Sequence, residues 1–151
     1  MLSDLRPLST AWAGSYILLR MDIEWIRKFC LALPGATEQI QWEDDLLFKV
    51  GGKMFAVVPL EPARLYISFK ASAEDFAELV ERPGIIPAPY LARAQWVALE
   101  SESALRRAEL EDLLRRAHAL ILAKLSKKVQ ASLTHAKQRK SSLRPRKRRS
   151  I

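Results

Sequence analysis

Residues 47–58, "LFKVGGKMFAVV", carry two lysines in an otherwise apolar run, one on each side of a Gly-Gly pair. Lysines gathered on one surface would hold an anion, and a phosphate backbone above all. Whether Lys49 and Lys53 cooperate is decided by register. With Gly51-Gly52 as a two-residue hairpin turn, Val50 pairs with Lys53, Lys49 with Met54, Phe48 with Phe55 and Leu47 with Ala56. Paired residues share a face, so the two lysines point to opposite sides and form no clamp. The bulkier face (Phe48, Val50, Phe55, Val57) is expected to meet the core, with Lys53 snorkelling from its tip. Lys49 then lies on the other face with Leu47, Met54, Ala56 and Val58. Residues 64–70, "RLYISFK", alternate in the same way, with Leu65, Ile67 and Phe69 on one side and Tyr66, Ser68 and Lys70 on the other. If this strand pairs next, Lys49, Lys70, Ser68 and Tyr66 share an open sheet face. Such a face could bind a nucleic-acid backbone; the alternative is an ordinary solvated surface.

Other chemistry is sparse. Histidine occurs only at 118 and 135, and neither has a second histidine or a cysteine at ligand spacing, so no metal site is expected. "VGGK" lacks the spacing of a phosphate-binding loop and its following Ser or Thr. Glu43-Asp44-Asp45 is an acidic run whose adjacent carboxylates diverge, which suits a solvated turn better than a hard-cation site. No nucleophile has a recognisable base partner. The chain is expected to be no enzyme and to need no cofactor. Cys30 sits in an apolar helical pattern and reads as a buried, inert thiol. A single cysteine excludes an intramolecular disulfide and suits a reducing cytoplasm.

Charge is distributed unevenly. The chain has 151 residues and a formal charge of +8, yet Lys137–Arg149 holds eight cations and no acid, which leaves residues 1–136 formally neutral. Residues 135–151, with Arg144, Arg146, Lys147, Arg148 and Arg149, are expected to be a disordered basic tail that contacts phosphates. No run reaches the roughly 20 apolar residues of a membrane span. Residues 1–20 make a poor signal peptide, and a helix pattern opens at Met21–Asp22, so translation is expected to start at Met21 and residues 1–20 to be an extension.

Helical spacing of Ile23, Ile26, Phe29 or Cys30, and Leu33 predicts a first helix capped by Asp22 and ended by Pro34-Gly35. A strand at 36–42, the hairpin and the 64–70 strand follow. Ser72, with Asp75 three residues on, predicts a second helix with a near capping box. Residues 83–94 read as a proline-punctuated loop with a helical turn near Tyr90, 95–100 as a last strand, and 101–133 as one long amphipathic helix. This order predicts an α+β domain at 21–134: an antiparallel sheet with helices on one face and a long C-terminal helix.

The series "FCLALPGATE", "FKVGGKMFAVV", "LYISFKAS" and "PAPYLARAQWVAL" resembles the MmcQ/YjbR family of small bacterial proteins. The resemblance rests on Leu33-Pro34-Gly35, the Phe-Lys-Val and Gly-Lys-Met-Phe hairpin, and the Tyr90 to Trp96 spacing. It implies a CyaY-like fold described as a double-wing DNA-binding motif. One departure is Gln95, where similar proteins often carry histidine before the tryptophan. On this basis the expected partner is DNA, contacted by Lys49, Lys53, Tyr66, Ser68, Lys70, Tyr90, Arg93, Gln95 and Trp96 together with the tail. The chain is expected to be a monomer. The alternative is a small protein- or ligand-binding module of the same fold with no nucleic-acid role.

Overall fold

The structure, a computed structural model, describes residues 23–42, 44–60 and 65–133. Asp22, Glu43, Arg64, His135 and the basic tail therefore lie outside the described residues. Helix α1 (Glu24–Leu31) precedes strands β1 (Ala36–Gln41), β2 (Asp45–Val50), β3 (Lys53–Pro59) and β4 (Ile67–Lys70). Helix α2 (Ala73–Leu79), strand β5 (Ile85–Pro87), strand β6 (Trp96–Leu99), helix α3 (Arg107–Lys124) and a helix α4 (127–133) follow among the described residues. The six strands form one antiparallel sheet in the order β1-β2-β3-β4-β6-β5. One sheet face packs against the helices, as the α+β pattern requires. Leu110, Leu113, Leu114, Ala117 and Ile121 recur on one side of α3 and meet Phe48, Phe55 and Phe69 of the strands in the main core. His118 belongs to this core: its Nε2 donates to the Pro34 carbonyl at 2.7 Å, and its ring meets Phe55 edge-on.

The hairpin turns at Gly51-Gly52 as expected, and Val50 pairs with Lys53 and Lys49 with Met54. The expected pairing of Phe48 with Phe55 fails. Phe48 instead opposes Ala56, because Phe55 is an extra residue in β3. Such a bulge puts two neighbouring residues on the same side and shifts everything beyond by one. Phe55, Ala56 and Val58 consequently all enter the helix-side core, while Val57 turns to the opposite face. Lys53 stands exposed at the hairpin tip.

Three further expectations are corrected. The segment 83–94 contains the edge strand β5, whose closing Pro87 is tolerated at an edge, where no neighbour needs its N–H. The Ser72 hydroxyl does accept from the Asp75 N–H at 3.0 Å, but the Asp75 carboxylate pairs with Arg116 of α3 rather than closing a capping box. The long C-terminal helix is broken at Leu125, whose backbone is extended (ψ 159°). The Ser126 hydroxyl caps α4 by accepting from the Val129 N–H, and the Gln130 amide donates to the Leu125 carbonyl. The break swings the Leu125 side chain over the hairpin turn. A β-carbon at Gly51 would sit 2.4 Å from Leu125 Cδ1, whereas one at Gly52 would meet nothing within 4 Å.

Candidate ligand-binding site

Opposite the helices the sheet carries a second, smaller apolar cluster of Leu47, Val57, Ala88, Trp96 and Ala98, flanked by Met54, Leu65, Ile86 and Leu91. Strand alternation produces it: Leu47, Val57, Ser68 and Ala98 face away from the helices on four adjacent strands. The segment joining β5 to β6 lies on this face and is tightly fastened. The Ala88 N–H donates to the Trp96 carbonyl, and the Trp96 N–H donates back to the Leu91 carbonyl. The Ala71 N–H bonds the Gln95 carbonyl, and the Lys70 ammonium donates to the Ala94 carbonyl.

Between this loop and the strands runs a groove of about 480 Å³. Its walls are Met54, Val57, Pro59, Leu65 and Leu91, and Ala88 and Pro89 belong to its loop side. Two aromatic residues border it, Trp42 (58% exposed) and Tyr90 (102% exposed). Both hold left-handed backbone, at φ 49° and 65°, and Gln95 does so too at φ 65°. These are the three non-glycine residues with positive φ among those described. Such backbone costs about 1–2 kcal/mol at each residue, and strain of this kind gathers where side chains are displayed for binding. Apart from the Tyr90 phenol and the Trp42 indole N–H, the polar side-chain groups of the groove are the Ser68 hydroxyl and the Asp45 carboxylate. Burial pushes the Asp45 carboxyl up from its ordinary range, and neighbouring Asp44 pushes it further. No cation among the described residues pairs with it.

The residues expected to meet DNA do not converge. Lys49 does reach the open face, where its ammonium donates to Gln39 Oε1 at 2.6 Å, outside the groove. Lys70 is buried against the loop, and burial, helped by Lys124, lowers its ammonium pKa. Lys53 is exposed at the hairpin tip and Arg93 on a separate short turn. Tyr66 precedes β4 and packs in the helix-side core rather than beside Ser68. Trp96 is buried in the second cluster and offers no stacking face, while Gln95 closes the loop with its carbonyl. Arg144, Arg146, Lys147, Arg148 and Arg149 lie outside the described residues. Of the expected set, Ser68 and Tyr90 belong to the groove. Sequence reasoning missed Trp42, Met54 and Leu65 and read Asp45 as a solvated turn. A tryptophan beside an acidic turn is the one signal that pointed there.

The YjbR family model matches residues 31–120 of the chain. Among solved structures, the Deinococcus radiodurans protein DR2400, a DUF419 domain, is 28% identical, with a TM-score of 0.66 over 74% of this chain and 87% of that one. A Pseudomonas syringae protein is 23% identical, with a TM-score of 0.47 over 56% of this chain and 86% of that one. No curated protein matches the chain. With the family model spanning more than half of its length, the chain belongs to the YjbR family.

Proposed function

We propose that the protein is a non-catalytic binding module whose ligand site is the groove on the open sheet face. The observation that carries this reading is the pair of exposed aromatic residues, Trp42 and Tyr90, held in strained backbone over a preformed apolar groove. A volume of about 480 Å³ falls within the range of small-molecule pockets. The groove's lining includes one carboxylate and the hydroxyls of Ser68 and Tyr90 but no histidine, cysteine or lysine, which suits holding a ligand better than transforming it. The test is a screen of small apolar and aromatic compounds against the full-length, isotope-labelled protein by amide NMR. The reading expects shifts clustered at Met54, Val57, Leu65, Ser68 and Leu91. It fails if no compound perturbs them.

DNA binding is the second reading, favoured by the eight cations of Lys137–Arg149. In that case Arg144, Arg146, Lys147, Arg148 and Arg149 supply the phosphate contacts, and the affinity falls steeply with salt. Replacing all eight cations of Lys137–Arg149 by serine in the full chain should abolish duplex binding if the tail alone carries it. Retained binding that Lys49→Ala then weakens would return the sheet face to nucleic acid.

A further inference from the structure

We propose that the groove takes a small organic cation, an apolar body bearing one ammonium group that meets Asp45 and the ring faces of Trp42 and Tyr90. This inference rests on the groove being the ligand site. It follows from charge complementarity. Asp45 is the single charged residue in the lining. Its carboxylate has no cationic partner among the described residues and has Asp44 as its chain neighbour. The lysines on this side of the sheet are committed elsewhere, Lys49 to Gln39 and Lys70 to the Ala94 carbonyl, and neither lines the groove. An anionic ligand would therefore meet a carboxylate and no counter-charge.

The aromatic pair adds an independent preference. Trp and Tyr ring faces carry negative electrostatic potential and attract ammonium groups, most strongly where water is thinned out. Both rings border the groove, with Trp42 the residue directly after the paired end of β1 and Asp45 opening β2. The acid and one ring thus stand at the same end of the sheet, and Tyr90 borders the same groove from the loop side. The remaining walls, Met54, Val57 and Leu65, offer the ligand's body only apolar contact. The size of the groove matches a small molecule rather than a polymer.

The experiment uses three ligands of one shape: phenethylamine, phenethyl alcohol and hydrocinnamate, carrying a cationic, a neutral and an anionic head. Each is titrated into the full-length protein by amide NMR at neutral pH and low salt. The amine should bind about tenfold more tightly than the alcohol, and the carboxylate more weakly than either. In Asp45→Asn the amine should lose most of that advantage while the alcohol keeps its affinity, which also shows that the groove is intact. Equal affinities for the three heads, or an amine preference that survives Asp45→Asn, would overturn the cation assignment and leave the groove standing. If none of the three binds, both the assignment and the groove reading fall.

Discussion

Tyr90 separates display from stability. Its ring is fully exposed and so contributes no burial, while its backbone sits at φ 65°. Glycine adopts that backbone without the steric cost of a β-carbon, so Tyr90→Gly should recover about 1–2 kcal/mol of strain. It should also lose about 0.4–1 kcal/mol, because glycine gives the unfolded chain more freedom. The net expectation is a change of about 0–1.5 kcal/mol in favour of the folded state. For a chain of 151 residues this raises the melting temperature by at most about 6 °C. Tyr90→Ala keeps the strained backbone and loses only an exposed ring, so it should melt near the parent. Thermal melts followed by circular dichroism, with urea titrations beside them, give the order Gly above Tyr and Ala. Both variants should bind the aryl ligands less well. If both instead destabilised the fold by more than about 1 kcal/mol, the ring would be packing onto the protein, and the argument that it is held out for a ligand would fail.

Gly51→Ala should cost about 2–5 kcal/mol, combining a left-handed alanine with a β-carbon driven into Leu125, while Gly52→Ala should cost only the backbone share of about 1–2. Equal losses in urea would mean that Leu125 does not cover the turn. Burial and Asp44 raise the Asp45 carboxyl above its unfolded value. Its contribution is therefore favourable below the ordinary carboxylate range and is lost as pH rises through the folded value. Asp45→Asn should accordingly raise the melting temperature at neutral pH, and the gain should shrink towards about pH 4. A gain that grows on acidification would contradict this. Burial pushes the Cys30 thiol up to about 12, so Ellman's reagent should leave it untouched in the native protein and modify it only as urea unfolds the chain. Rapid labelling without urea would show that α1 opens locally.

Much of the fold was written in short-range pattern. The Gly51-Gly52 turn, the Ser72 cap and the spacing of Leu110, Leu114 and Ile121 each reflect a local physical rule. The failures arose where tertiary packing overrode local preference. Phe55 has nothing in its neighbours to mark a bulge; the extra residue keeps Phe55 beside Phe48 in the core while bringing Ala56 and Val58 in with it and turning Val57 to the other face. The break at Leu125 lacks glycine or proline and is signalled only by Ser126, since the side chain's burial against the hairpin turn lies far away in sequence. For the site, alternation rightly sent Lys49 and Lys70 away from the helices. It could not show that Lys70 would be spent on a backbone carbonyl of a distant loop. Nor could it show that Trp42 would be held out by a positive φ, because the same tryptophan in ordinary strand backbone would have been a core candidate.

The fastening of the Tyr90 loop has a kinetic corollary. Hydrogen bonds at Ala88, Leu91, Ala94 and Gln95 hold this loop in place, so among the described residues it is no lid that must swing before a solute enters. Entry is then a single bimolecular step whose observed rate rises linearly with ligand concentration, without the plateau that a gating motion imposes. Selectivity among similar solutes resides in how long each stays. Uptake at a site of this kind is then limited by encounter alone, and the lag with which its occupancy follows a falling solute level is set by the residence time of that solute.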